Sequence, residues 1–357
     1  MTADTSQAVS FFLPGIEIRD LRPLGAGNVN DTWLVLSAAG DKLVLQRLNP
    51  HVFPDPGLVQ DNLYVVTGHL QAQLEQSSDN FIPLRLLRNP QGIGSYIAPD
   101  GTWWRLLSYI DDSLVLNTVS TAEQTREIGH TLGLFHQLTS SLSPASLADP
   151  LPGFHITPLY LEQYDALSPP AGDRAADCRD FIDDRRQDVS LLEDARRQGT
   201  VSRQVIHGDP KVANFLFSRD GSRVISLIDL DTVKPGPLLH DIGDCLRSCC
   251  NRSGEEIDSA GGIVFDQELF RAMLEGYFRY AGELLTAADI DLIVDSVRLI
   301  SLELGIRFYT DYLAGNRWFK VDHPEQNLLR ARVQFALVRS IESQYSELIK
   351  ICTAVQQ

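Results

Sequence analysis

The run His207-Gly208-Asp209-Pro210-Lys211-Val212-Ala213-Asn214 constrains this chain more than any other stretch. It reads H-G-D-x-x-x-x-N. The short apolar run Phe215-Leu216-Phe217 follows it, then the turn Arg219-Asp220-Gly221-Ser222, then a second apolar run, Val224-Ile225-Ser226-Leu227-Ile228, which ends in Asp229-Leu230-Asp231. Two apolar runs joined by a Gly/Asp turn predict an antiparallel hairpin. That hairpin brings Asn214 and Asp229 to one end of paired strands, with Asp209 on the loop just before them. H-G-D alone is ordinary turn chemistry. The two carboxylates and the amide together are a set of hard oxygen ligands and a base.

Such a set matches the needs of phosphoryl transfer from Mg-ATP. One carboxylate positions the acceptor hydroxyl and takes its proton, while an amide and a second carboxylate hold the metal on the nucleotide phosphates. Magnesium accepts a few protein oxygens and keeps waters and phosphate oxygens for the rest. Asp209 is the expected catalytic base, and Asn214 and Asp229 are the expected magnesium ligands. Asp231 lies near the metal or contacts the substrate.

The residues before this hairpin read as a sheet. After a short apolar helix over Val9 to Leu13 comes Pro23-Leu24-Gly25-Ala26-Gly27-Asn28-Val29-Asn30, a Gly-rich turn between two strands. Glycines let backbone N–H groups approach phosphate oxygens, so Gly25, Gly27 and Asn28 are expected to cover the ATP phosphates; a plain hairpin turn is the bland alternative. Lys42–Leu48 is a third strand, and a helix is expected over Val59–Leu74, with apolar residues at 63, 66, 70 and 74. Strands over Leu84–Leu87, Gly94–Ile97 and Trp103–Ile110 complete the sheet. Tyr109, at its end, is expected to bind nucleotide. Asp111-Asp112-Ser113 reads as the hinge. Beyond it the pattern is helical: Thr121–Leu138, Tyr160–Leu167, Ala176–Arg197, and almost everything from Gln267 onward. The expected architecture is α+β and two-lobed: an antiparallel-sheet N-lobe over residues 1–110 and a mostly helical C-lobe over 111–357 carrying the catalytic hairpin and acceptor site.

The D-x-x-x-x-N spacing, Ile228-Asp229-Leu230-Asp231 and the later His240-Asp241-Ile242-Gly243-Asp244 resemble the aminoglycoside phosphotransferase and choline kinase superfamily, small-molecule kinases on a protein-kinase-like fold. A narrower resemblance, to the N-acetylhexosamine 1-kinases, rests on Val44–Asn49 with Val52-Phe53-Pro54, on Asp229–Thr232 with Pro235-Gly236, on Leu304–Phe308 with Asp311-Tyr312-Leu313, and on His323-Pro324-Glu325 with Asn327-Leu328 and Arg330. It runs over nearly the whole chain. The resemblance implies ATP as co-substrate, Mg²⁺ as cofactor and a small sugar acceptor, N-acetylglucosamine or N-acetylgalactosamine, phosphorylated at its anomeric hydroxyl. Another small alcohol is the alternative: choline, an aminoglycoside, homoserine or methylthioribose. It implies sugar contacts from Arg307, Thr232 and Asn30, and a structural His207 packed under the loop. Arg307 lies on an otherwise apolar helix, and a salt bridge to Asp311, four residues on, is the other reading of it. Tyr312 and Trp318 either stack on a sugar or pack in the core. The chain departs from the protein-kinase pattern at the third strand, where Gln46 holds the slot of the phosphate-binding lysine. Gln46 can still bond to phosphate. The following helix, with Asp61, Asn62 and Tyr64 at its start, offers no partner glutamate.

A formal net charge of −16 argues against nucleic-acid and anionic-membrane partners. The 5 cysteines form no C-x-x-C pair; Cys245, Cys249 and Cys250 read as core thiols of a reducing cytoplasm. Neither a leader nor an apolar run of about 18 residues is present.

Overall fold

A computed structural model describes residues 3–25, 29–167, 175–257 and 261–356. Helix α1 (Ala3–Phe12) begins earlier than the apolar run suggests. Its buried residues Ala8, Val9 and Phe12 lie one turn apart on one face, and the polar first turns continue that helix outward. Strands β1 (Ile18–Pro23), β2 (Asp31–Ser37) and β3 (Lys42–Arg47) follow, then helix α2 (Pro56–Leu74), and then β4 (Leu86–Leu87), β5 (Tyr96–Ile97) and β6 (Trp103–Ser108). All pair antiparallel in the order β1-β2-β3-β6-β4, with β5 also on β6. Alternation assigns the two faces. Leu45, Trp104 and Leu106 pack outward against α1. Val44 and Leu107 face the main core, which also holds Leu63, Val66 and Leu70 of α2. Gln46 and Arg105, paired across β3 and β6, share that inner face.

The segment expected as the hinge is short. Asp112 adopts φ 53° and the chain enters β7 (Ser113–Val115) at once. Helices α3 (Ala122–Thr139) and α4 (Thr157–Asp165) follow. The single helix expected over Ala176–Arg197 is two, α5 (Ala176–Asp183) and α6 (Leu191–Gln198). The break arises because Arg185 folds back over the Phe181 ring to pair with Glu342, at 2.9 and 2.7 Å, and Asp188 pairs with Arg298 at 2.7 Å. Those tertiary ion pairs hold residues 184–190 as turns.

Strand β8 (Gln204–Ile206) precedes the expected hairpin, which is β9 (Phe215–Ser218) and β10 (Val224–Leu227), and β11 (Lys234–Gly236) returns to β8. β7 adds to the far edge of β9. The remainder is helical: α7 (Leu238–Cys249), α8 (Gln267–Ala281), α9 (Ala287–Asp291), α10 (Ile293–Leu313), α11 (Gln326–Ser343) and α12 (Tyr345–Val355). α3 and α8 touch backbone to backbone. A Cβ on Gly129 would lie 2.0 Å from the Met273 carbonyl, one on Gly133 2.6 Å from that of Tyr277, and one on Gly276 2.1 Å from that of Arg126. All five cysteines are buried, and among the described residues none is in a disulfide. Among the described residues, no helix is long and apolar enough to cross a membrane.

Candidate active site

The loop that carries Asp209 is held from α7. The carboxylate of Asp241 accepts the backbone N–H groups of His207 and Gly208 at 2.6 and 2.8 Å and lies 2.9 Å from His136 Nε2. Burial works against that charge, but the His136 and amide hydrogen bonds outweigh it and hold Asp241 below the usual carboxylate range. Ser248, two turns further along α7, accepts the Val212 amide at 3.0 Å. His207 is fully buried, with Nε2 2.9 Å from the Ile228 carbonyl. Gly208 sits at φ 89°, and a Cβ there would meet the Thr232 carbonyl at 2.6 Å. Only glycine allows this approach. The Thr232 hydroxyl donates to the His207 carbonyl at 2.9 Å.

Three expected residues come together here. Asn214 donates from Nδ2 to the Asp209 carbonyl at 2.7 Å, and its Oδ1 accepts no hydrogen bond among the described residues. The Ile228 amide donates to the Asn214 carbonyl at 2.9 Å, so Asp229 and Asn214 stand at the same end of the hairpin. Asp229 adopts φ 64° and ψ 52°, a left-handed conformation that Asp tolerates better than most residues. Its carboxylate opens to solvent and has no hydrogen-bond partner among the described residues. Crowding by surrounding protein, then the nearby Asp231 charge, pushes its pKa up to about 6. At Asp209 burial also opposes the charge, but Lys211, with Nζ 2.5 Å from Oδ2, holds it below the usual range.

The expected outer ring is arranged differently. Asp231 is buried; its Oδ1 accepts Arg105 Nη2 at 2.5 Å and its Oδ2 accepts Asn30 Nδ2 at 2.6 Å. The other end of Asn30 accepts the Asn49 amide at 3.0 Å. Gln46 Oε1 accepts Arg105 Nε and Nη2 at 2.9 and 2.7 Å, and its Nε2 donates to Thr32 at 3.1 Å. Asn30, Gln46 and Asp231 thus bond to their neighbours rather than face an open site. Arg47, on the other face of β3, pairs with Asp31. Gly25 turns at φ 71° with open space around it; Gly27 and Asn28 lie outside the described residues. Tyr109 follows β6 with the Lys42 ammonium 5.3 Å from its ring centroid.

On the acceptor side, Arg307 makes no ion pair and no hydrogen bond among the described residues. Its guanidinium lies 5.1, 5.0 and 5.6 Å from the ring centroids of Phe154, Tyr160 and Phe319. Asp311 does not pair with it, because Asp311 caps the following loop, accepting the amides of Arg317, Trp318 and Phe319 at 2.6 to 3.0 Å. One turn before Arg307, Glu303 lies 3.1 Å from His155 Nδ1, and His155 Nε2 lies 2.8 Å from the Gly208 carbonyl. This link ties α10 to the catalytic loop.

The sequence profile of the phosphotransferase enzyme family (APH) matches residues 20–282. The chain belongs to that family. Solved structures give the same fold at low identity. The chain is similar to a microcompartment-associated aminopropanol kinase (16% identity, 97% and 98% of the two chains, TM-score 0.66). It is similar to an aminoglycoside phosphotransferase from Alicyclobacillus acidocaldarius (16%, 96% and 96%, 0.64) and to a choline kinase from Streptococcus pneumoniae (16%, 95% and 98%, 0.55).

For a phosphotransferase of this fold the two open oxygens, Asn214 Oδ1 and the Asp229 carboxylate, fit a hard divalent cation. Among the described residues no three His, Cys, Asp or Glu side chains form a cage; one carboxylate and one amide suit magnesium that keeps phosphate and water ligands. The geometry brings further residues to this region to which sequence reasoning gave no role. Lys211, inside the motif, was readable two places after Asp209. Asp244 stood in the His240–Asp244 run without a role; on α7 between Asp241 and Ser248 it lies near enough to Asp209 and Lys211 for their charges to interact, with Oδ1 on Arg247 and Oδ2 buried without a hydrogen-bond partner among the described residues. Arg105 and the His155–Glu303 pair carry no local signal, since their partners lie 126 and 148 residues away.

Proposed function

We propose that this phosphotransferase is an ATP- and Mg²⁺-dependent kinase that transfers the γ-phosphoryl group to the anomeric hydroxyl of an N-acetylhexosamine, giving the sugar 1-phosphate and ADP. In this reading the lobes divide near residues 110 and 111, and Gly25 and Tyr109 border the nucleotide. Asn214 and Asp229 hold the metal. Bound Mg²⁺ would neutralise charge on the phosphates. Asp209 accepts a hydrogen bond from the acceptor hydroxyl, aims its oxygen at the γ-phosphorus and takes its proton, as the new P–O bond forms and the bond to the β-phosphate bridging oxygen breaks. Lys211 keeps Asp209 ionised and a weak base. A weak base suits the anomeric hydroxyl, more acidic than an ordinary alcohol.

The observation that carries the acceptor class is Arg307. Its guanidinium has no anionic partner among the described residues and occupies the aromatic ring set of Phe154, Tyr160 and Phe319. A cationic acceptor such as choline wants an aromatic cage for itself; here the cage already holds a cation. Guanidinium N–H groups turned toward an acceptor instead suit hydroxyl and carbonyl oxygens. The test is phosphate transfer from Mg-ATP to free and 1-O-methyl hexosamines, with choline and an aminoglycoside alongside. Transfer to free N-acetylhexosamines and silence on the methyl glycosides is expected. Activity on the methyl glycoside would move the reaction to another hydroxyl, and activity on choline alone would overturn the acceptor class.

A further inference from the structure

Protein kinases place a lysine on the third strand and pair it with a helix glutamate, and both must be in position for phosphoryl transfer. Neither stands at its position here, and Lys42, at the start of β3, pairs with Asp111. Gln46 holds the strand position, and Asn62, buried on α2, donates to the carbonyls of Val233 and Ala148 instead. A cation is nevertheless present on the same inner face, one strand over. Arg105 of β6 is 2% exposed. Its Nε and Nη2 grip Gln46 Oε1, and Nη2 also reaches Asp231 Oδ1 at 2.5 Å. Asp231 is 3% exposed and joined through its other oxygen to Asn30. A single carboxylate from the helical region therefore ties down β6 directly, β3 through Gln46, and the approach to β2 through Asn30.

We infer that Arg105 supplies from β6 the charge that β3 lacks, and that it acts as a positioning residue: by fixing Asp231 it sets the turn on which Asp229 stands. Two features of the chain support this. Asp231 lies in the short 3₁₀ turn Leu230–Thr232 that starts directly after Asp229, whose backbone is left-handed. Moving Asp231 moves that turn as a unit. Moreover, a buried ion pair adds little net stability over an apolar pair of the same size, because desolvation offsets the attraction; its best-attested use is to fix one arrangement over others. The seam between sheet and catalytic hairpin is where one arrangement matters. The inference rests on the assignment of Asp229 to the metal.

The experiment compares the full chain with Arg105→Met, the charge-free pair Arg105→Met/Asp231→Asn, and Arg105→Met/Gln46→Lys, with Asp229→Asn as reference. The double variant buries no unpaired charge, so it is the arm that keeps the test open should Arg105→Met misfold. Titration calorimetry measures ATP binding with Mg²⁺ and with EDTA, and kcat is read with the acceptor that the sugar panel identifies. In both charge-removed variants the Mg²⁺-dependent tightening of ATP binding is expected to be largely lost while metal-free ATP binds as before. kcat is expected to fall on the order of 100-fold, the scale that a displacement of about 1 Å can cost. Gln46→Lys, one bond longer and charged, should recover most of the loss.

Normal Mg²⁺-dependence in the double variant, with Asp229→Asn impaired, would overturn the inference and leave the metal assignment standing. An unaffected Asp229→Asn would overturn both. Equal weakening of metal-free and Mg-bound ATP would put Arg105 on the phosphates and overturn its positioning role. No recovery on adding Gln46→Lys would overturn the idea that one cation substitutes for the other.

Discussion

Asp209 and Lys211 form an ion pair at 2.5 Å within one turn of chain, and that pair limits what Asp209 can do as the proposed base. An acceptor hydroxyl must share the carboxylate with the ammonium, so positioning outweighs basicity. Asp209→Asn is expected to lower kcat by about 10²–10⁴-fold, the usual worth of a positioned base, with Mg-ATP affinity nearly unchanged by calorimetry; near-normal turnover would show that Asp209 is not the base. At His155 burial opposes the charge, but Glu303, with smaller help from Asp244 and the Gly208 carbonyl, raises its pKa above the ordinary imidazole value; the neighbouring His240 ring, 5.5 Å away, is held neutral by burial. A raised folded-state pKa stabilises fully below the unfolded value of about 6.5 and is lost as pH rises through the folded value. Urea unfolding of the wild type and Glu303→Gln should therefore differ most in mild acid, with the gap closing as pH climbs. A constant gap would mean that His155 does not titrate in that window.

At the scale of elements, α3 and α8 form the closest helix pair, and glycine makes it so. Gly129 and Gly133 stand four apart on α3, and Gly276 faces back from α8, each with a partner carbonyl closer than a methyl group tolerates. Alanine at 129 or 276 must push the helices apart, at about 1–3 kcal/mol for overpacking. Chemical denaturation should show that loss; unchanged midpoints would mean the helices separate freely. The spacing Gly129-x-x-x-Gly133 was in the sequence, but its partner was not, because α8 begins 134 residues after Gly133. The split of the helix expected over 176–197 has the same origin. Amphipathic spacing continues through the break, and only the pairings of Arg185 with Glu342 and of Asp188 with Arg298 interrupt it.

In the whole molecule the sheet's inner face and α2 share one core with the helical region, so nucleotide held between them should stabilise both. Saturating Mg-ATP at about 100 times Kd should add roughly 2.7 kcal/mol by mass action. EDTA should remove part of the resulting rise in melting temperature, and Asp229→Asn should show only the EDTA-level rise; an EDTA-insensitive wild type would argue against the metal assignment. Much of this architecture was legible from residue order alone. The antiparallel strands, α2, the hairpin and the convergence of Asp209, Asn214 and Asp229 follow from apolar periodicity and turn chemistry, which act over a few residues and so are written locally. Tertiary structure decided what each polar side chain bonds to. It turned Asn30, Gln46 and Asp231 from ligand-facing candidates into a buried network around Arg105, freed Arg307 by giving Asp311 to the loop amides, and brought Asp244 beside Asp209. Hydrogen bonds and ion pairs are settled only when packing fixes which buried donor meets which acceptor, and apolar periodicity does not record that choice.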